Sequence, residues 1–264
     1  MIHYAVLGSG STGNSYLIGN GSEAILFDAG FSLRQLRIRS EEAGIDFSTV
    51  QGLCITHMHP DHCRGAGVFA RKTGKPVFVH QSVAMECSRE LSQLGIPEQL
   101  LHLFSDTETF SVGSFRVTAF RTSHDSPSSV GFTTEISRRN FTILTDTGVL
   151  DDTMRRFALD SDILFLEANY DDHMLDTGPY PRFLKMRIKG DFGHLSNNDA
   201  VGLLNNCESD RLRQVYFCHL SRTNNHPRVL ESLCAEQLRW EGIRTICEHG
   251  QLYRGSVDPG DKLP

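Results

Sequence analysis

The apolar positions change period several times along the chain. They crowd residues 2–7, alternate over 14–18 and return over 23–27, with Gly19-Asn20-Gly21-Ser22 between, so a hairpin meander is predicted at the start. Helical spacing follows over 32–43, where Leu33, Leu36 and Ile38 are apolar and Gly44 is the stop. Residues 52–55 and 76–79 read as short buried strands, each followed by a helix, over 63–72 and 82–94. From Leu101 the pattern turns to short strands over 101–103, 108–112, 115–120, 130–135 and 141–144. Apolar runs at 163–170 and 215–222 predict buried strands, and 199–206 and 228–240 predict helices. Segments 244–247 and 251–254 close the chain before a tail at 256–264. Each half runs strands and then helices, without a repeat or a low-complexity linker. The expectation is an α/β fold in a single domain over 1–264, with halves near 1–125 and 126–255 and two facing sheets under outer helices.

Composition changes this picture little. The chain has 264 residues, 39% of them apolar and 22% charged, with a formal charge of −6. That balance does not favour broad coating of nucleic acid, and it leaves room for a local basic groove. No run of about 18 apolar residues is present, so no spanning helix and no membrane partner are expected. The first residues lack a basic region ahead of an apolar segment, so export is not expected either. Seven cysteines, without a Cys-x-x-Cys pair, argue against a disulfide framework or a cysteine zinc site. A reducing, cytoplasmic setting is the expectation. Gly8-Ser9-Gly10-Ser11-Thr12-Gly13 spells a Gly-x-Gly-x-x-Gly turn, but a strand follows where a nucleotide site needs a helix, and no lysine follows to make a P-loop.

The chemistry concentrates in Thr56-His57-Met58-His59-Pro60-Asp61-His62, which straddles a strand end and a helix start. In extended backbone, i and i+2 side chains point the same way, so His57 and His59 can converge on one ion. Pro60 breaks the strand and re-aims Asp61 and His62 toward a second position. Imidazole with carboxylate suits zinc, manganese or iron. Downstream, Arg182, Lys185, Arg187 and Lys189 put four positive charges in a stretch with no acid from Pro179 to Gly190. Such a row suits a phosphate-tracking edge or a solvated helix face.

His-x-His-x-Asp-His after a buried strand resembles the metallo-β-lactamase superfamily. The resemblance implies a four-layer αββα sandwich of two mixed sheets. It implies that Asp28 of Asp28-Ala29-Gly30 braces the metal loop, that His124 is a further ligand, that Asp146 bridges two ions and that His219 completes the set. One divalent ion would then be held by His57, His59 and His124, and the other by Asp61, His62 and His219, with zinc or manganese favoured over iron. An aspartate at 146, where a cysteine would point to β-lactam hydrolases, resembles the two-metal esterases and phosphodiesterases. Glu167-Ala168-Asn169 and Gly193-His194-Leu195-Ser196 resemble segments of the tRNA 3′-processing nucleases. That likeness implies a hydrogen-bonded Glu167–His194 pair acting with Asp61 as the catalytic group. His219-Leu220-Ser221-Arg222 is similar to the His-x-Ser-x-Arg motif of those nucleases, with the arginine one residue early, which leaves Arg222 without an assigned role. The segment from Gly178 to Asn197 and the turn from Gly8 to Ser15 resemble the YycJ (WalJ) branch, associated with 5′-to-3′ exonuclease activity on DNA. The implied activity is a two-metal phosphodiesterase in which activated water attacks phosphorus in line. The implied partner is nucleic acid, DNA before RNA. The rival is a thiolester or lactone hydrolase of the glyoxalase II type acting on a small metabolite. It shares the ligands and has no use for the basic row or the Glu167–His194 pair.

Overall fold

In the computed structural model, which describes residues 1–260, the apolar segments pair into two sheets of seven strands each. The meander forms as β1 (Ile2–Gly8), β2 (Ser15–Gly19) and β3 (Ala24–Phe27), all antiparallel. Parallel additions follow, β4 (Val50–Cys54), β5 (Val77–His80) and β6 (Leu101–Phe104). The second sheet starts with an antiparallel run, β7 (Thr109–Val112), β8 (Phe115–Arg121), β9 (Val130–Ile136) and β10 (Arg139–Leu144). It continues in parallel through β11 (Ile163–Glu167), β12 (Gln214–Cys218) and β13 (Ile243–Ile246). The chain then returns to the first sheet as β14 (Tyr253–Val257), paired with β1. Ser256 and Val257, expected in the tail, are therefore strand residues, because Val257 is opposite Ile2 and both are buried. The rest of the expected tail reaches 261–264, which lie outside the described residues. The change of sheet falls between β6 and β7, ahead of residue 125, since β7 and β8 hairpin onto β9.

Period-2 alternation decides what each sheet face buries. Ile2, Tyr4 and Val6 face the space between the sheets, where Tyr16, Phe27, Phe132, Phe141 and Phe165 meet them. Ala5, Leu7, Leu17, Leu26 and Leu53 face outward under helices. Strands covered on both faces read as continuous apolar runs, which is the pattern of β2, β3 and β11. The first sheet is covered by α1 (Leu33–Ala43), α2 (Pro60–Cys63), α3 (Ala66–Thr73), α4 (Gln81–Glu86) and α5 (Ser88–Leu94). A capping box between Ser32 and Gln35 starts α1, and Gly44 at φ 78° stops it. The single helix expected over 82–94 is divided at Cys87, whose φ of −121° leaves helical space; neither proline nor glycine marks that break in the sequence. Over the second sheet lie α6 (Asp152–Leu159), α7 (Asp172–Thr177), α8 (Arg182–Lys189), α9 (Asn197–Asn205) and α10 (Pro227–Gln237). Of these, α6, α9 and α10 pack on the sheet, while Leu175 of α7 and Ile188 of α8 make a small cluster with Tyr170. The result is the four-layer αββα sandwich. Among the described residues no helix is long and apolar enough to cross a membrane, and the seven cysteines are unpaired.

Candidate metal centre and cleft

The chemistry-bearing residues gather past the carboxyl ends of strands from both sheets. Asp28 follows β3, His57 to His62 follow β4, His124 follows β8, Asp146 follows β10, Glu167 ends β11 and His219 follows β12. Open α/β sheets place their ligand sites at such ends. Three of these residues turn through left-handed backbone, with φ of 57° at Asp28, 60° at Asp146 and 58° at His219. Each such turn costs roughly 1–3 kcal/mol and persists because its surroundings over-determine it.

Hydrogen bonds fix which nitrogen each histidine presents. His124 Nδ1 lies 2.9 Å from the Gly193 carbonyl. A carbonyl only accepts, so Nδ1 carries the proton and Nε2 is bare. Thr56 Oγ1 donates to Asp28 Oδ2 at 2.8 Å and so accepts from His57 Nδ1 at 3.0 Å, which leaves His57 Nε2 bare. Both bare nitrogens face His59 Nδ1, at 3.0 Å from His57 and 3.3 Å from His124. A cation can satisfy all three nitrogens together. Burial, then the neighbouring His62 and His124, push the His57 imidazole well below its ordinary range, so it stays neutral as a ligand must.

A second group forms beside the first from Asp61, His62 and His219. His62 Nδ1 is 2.7 Å from Asp28 Oδ2 and His219 Nδ1 is 2.9 Å from Glu167 Oε1, so both rings turn Nε2 inward. Asp61 Oδ2 lies 3.8 Å from His62 Nε2 and 4.0 Å from His219 Nε2. Asp146 stands between the groups, with Oδ2 3.4 Å from His62 Nε2 and Oδ1 3.8 Å from His124 Nε2. Burial opposes charge on His62, yet the Asp146 and Asp28 carboxylates outweigh it and raise the ring to about 9. Burial likewise opposes ionisation of Asp61, and the His219 and His62 rings beside it hold the carboxyl well below the usual range. Asp146 Oδ2 and His219 Nε2 are buried without hydrogen-bond partners, a condition native interiors avoid unless an ion or water answers it. Bare imidazole nitrogens and carboxylate oxygens with no sulfur among them fit the implied divalent metals.

Glu167 is fully buried and serves four partners. Its Oε2 accepts from the N–H groups of Thr147 at 3.0 Å and Leu195 at 3.2 Å. Its Oε1 lies 2.8 Å from His194 Nδ1 and 2.9 Å from His219 Nδ1. Burial opposes its ionisation, but those two imidazoles hold it far below the ordinary carboxylate range. The Glu167–His194 pair is thus formed, and the same oxygen also orients His219, a contact the sequence did not suggest.

The glycine turn holds two further residues that sequence reasoning missed. Ser9 Oγ accepts from the His219 N–H. Asn14 Nδ2 lies 3.3 Å from Asp61 Oδ2 and 2.9 Å from His62 Nε2, while its Oδ1 accepts from Gly10 N. The tight glycine spacing and the turn's resemblance to the YycJ (WalJ) branch were the signals for them. His59, Asp61, His124, Asp146, His194 and His219 line a cleft of about 420 Å³. Its lining includes Ser11, Ser221, Arg222 and Thr223, and from the α8 segment Tyr180, Leu184, Arg187 and Ile188. Arg222, without a role from sequence, is therefore a cleft residue. The basic row does not form one edge. Lys185 Nζ donates to the Asp176 carbonyl at 2.8 Å, and Lys189 Nζ pairs with Asp176 at 2.8 Å, both turned to α7. Of the four cations, Arg187 reaches the cleft wall, where it pairs with Asp125. Arg182 is exposed at the start of α8. A helix divides the row because positions 185 and 189 share one side of it.

Residues 23–220 match the sequence model described as the Beta-lactamase superfamily domain. The chain belongs to the metallo-β-lactamase superfamily. Within that superfamily it is 30% identical to Exodeoxyribonuclease YycJ of Bacillus anthracis over 242 residues, 92% of this chain and 91% of the relative. It is 32% identical to Exodeoxyribonuclease WalJ of Streptococcus pneumoniae serotype 2 (strain D39 / NCTC 7466) over 237 residues, 89% of this chain and 87% of the relative. Its fold is similar to the metallo-β-lactamase fold protein YhfI from Bacillus subtilis, with a TM-score of 0.71 at 17% identity, covering 96% of this chain and 99% of that one. Superfamily membership together with the His/Asp donor set makes this chain a metal-dependent hydrolase.

Proposed function

We propose that the chain is a two-metal phosphodiesterase that shortens nucleic acid, DNA before RNA, from the 5′ end. The observation that carries this reading is Asp146, set between two His/Asp groups in a cleft that the Glu167–His194 pair also faces. His57, His59 and His124 would hold one ion, Asp61, His62 and His219 the other, with Asp146 common to both; zinc and manganese suit these donors. Bound divalent ions supply Lewis acidity toward phosphoryl oxygens and an acidified water near neutral pH.

The chain's own residues do the rest. His194 gives Nδ1–H to Glu167 and keeps Nε2 for the cleft, where it can release a proton to the departing 3′-oxygen. Glu167 holds that ring in one orientation. Arg187 and Arg222 both line the cleft, as do Ser11 and Thr223. Paired guanidiniums and hydroxyls suit phosphate oxygens. The names of the relatives support DNA as substrate, and seven unpaired cysteines suit a reducing cytoplasm.

The test is digestion of 5′-labelled and 3′-labelled DNA and RNA oligonucleotides with manganese or zinc, beside a thiolester. We expect the 5′ label to leave DNA early as a short product and the thiolester to survive. Thiolester hydrolysis with intact oligonucleotides would overturn the proposal in favour of a metabolite hydrolase.

A further inference from the structure

Helix α8 carries a second pattern beneath its charges. Successive residues of a helix step by about 100°, so Arg182, Met186, Phe183 and Arg187 follow one another around one side. The opposite side is spent: Ile188 is buried, Leu184 lines the cleft, and Lys185 and Lys189 are tied to α7. The Arg-Met-Phe-Arg side faces solvent, with Phe183 73% and Met186 64% exposed. Phe192, 64% exposed, continues the edge in the turn that returns to the cleft at Gly193. Among the described residues no other phenylalanine, tyrosine or tryptophan is exposed to this degree. Both exposed rings therefore stand next to the one cleft that holds the candidate metal groups.

We propose that this side of α8 is a stacking platform for a single nucleic-acid strand, on which unpaired bases rest as the backbone enters the cleft. The reading rests on the phosphodiesterase activity proposed above and narrows its substrate to a strand with exposed base faces. Three observations select this occupant over an apolar partner. The apolar pair is bracketed by Arg182 and Arg187, so phosphates and bases are both answered in a chain whose formal charge is −6. Arg187 belongs to the cleft wall, so the platform is continuous with the metal floor. The exposed apolar area is two rings and a thioether, each able to lie against a base, rather than a broad aliphatic face. Aromatic side chains interleaved with arginine are the means by which single strands are held without regard to sequence.

The test uses the metal-loaded enzyme and a fluorescent oligo-dT protected from cleavage by phosphorothioate linkages, with binding read by anisotropy. Combined Phe183→Ala and Met186→Ala substitution should weaken binding about 5- to 100-fold, the span of losing one stacked base. Turnover of bis(4-nitrophenyl) phosphate, which reaches only the metal floor, should stay within about twofold of the parent, as a stacking contribution outside the chemistry requires. Phe183→Trp should keep the parent affinity and Phe183→Leu should not. An abasic strand of the same length should bind parent and double variant alike. Equal affinity of parent and double variant for oligo-dT, in an enzyme that degrades oligonucleotides, would overturn the platform and leave the phosphodiesterase reading intact. So would a parent dimer that the double variant dissociates in light scattering, because the patch would then be covered by a second copy. Absence of turnover on both oligonucleotide and small phosphodiester would instead defeat the underlying reading.

Discussion

Glu167 Oε1 touches two imidazoles with different assignments, 2.8 Å to His194 and 2.9 Å to His219. Substitution of Glu167 therefore cannot separate chemistry from metal binding, while substitution of His194 can. We expect His194→Ala to lower turnover by roughly two to four orders of magnitude, with metal content by elemental analysis equal to the parent's. Glu167→Gln should show the same loss and also weaken metal binding about 10- to 100-fold, the usual effect of removing a group that orients a metal-bound histidine. Metal loss in His194→Ala would move His194 into the coordination shell, and unaltered metal affinity in Glu167→Gln would make the His219 contact incidental. Residue types at this scale were largely legible in advance. His57, His59, Asp61 and His62 are adjacent in sequence, and His124, Asp146 and His219 each end an apolar run. The nitrogen each ring presents was not legible, because it is set by Gly193, Thr56, Asp28 and Glu167, most of them distant along the chain.

Elements show the opposite balance. Strands and the helices that pack on the sheets were readable because burial on two faces imposes apolar runs and burial on one face imposes helical spacing. The segments α6 to α8 were not, because they bury only one or two residues each, too few for an apolar period to register. Their starts did carry a usable mark, since the Asp151 and Asp171 side chains cap α6 and α7. The basic row read equally as a phosphate-tracking edge or a helix face, and it lies on a helix that separates Arg187 from Lys189. In the glycine turn, Gly13 lies against the Gly30 carbonyl, and Gly30 in turn meets the metal loop, where an added Cβ would sit 1.8 Å from the Asp61 carbonyl oxygen and 2.5 Å from Asn14 N. Backbone on both sides leaves no side chain to yield. Gly30→Ala should destabilise the fold by about 1–3 kcal/mol or more and reduce metal content, since the displaced Asp61 is a candidate ligand. Gly202→Ala, in α9 with nothing within 4 Å of the added carbon, should stabilise by up to about 1 kcal/mol through helix propensity. Thermal melts of the two variants would test this, and equal midpoints would show that the Gly30 contact relaxes without penalty.

The two sheets meet in different ways at different depths of the sandwich. Between them the interior is aromatic, with Tyr4, Phe141, Phe165 and Tyr216 in tilted and edge contacts, and this joins the layers without help from a ligand. At the open end the joint is polar. His57, His59, Asp61 and His62 come from the first sheet, and His124, Asp146 and His219 from the second. Each proposed metal group therefore takes ligands from both sheets, so an ion there acts as a staple between layers as well as a reagent. An ion that binds only the folded chain stabilises it by mass action, about 4 kcal/mol at a thousand times its dissociation constant. For a domain of this size that raises the melting midpoint by about 8–16 °C, at roughly 2–4 °C per kcal/mol. We expect chelation to lower the midpoint by that amount and zinc or manganese to restore it, in a measurement that needs no substrate. Asp146→Ala should shrink the restored increment, because the carboxylate common to both groups is gone while the aromatic interior is untouched. Its midpoint under chelation should fall at or below the chelated parent's, since the carboxylate that balances the His62 ring is lost and alanine at a φ of 60° is more strained than aspartate. A parent whose midpoint ignores both chelator and metal would show that these donors hold no ion in the native fold, and the hydrolytic mechanism built on them would fall with it.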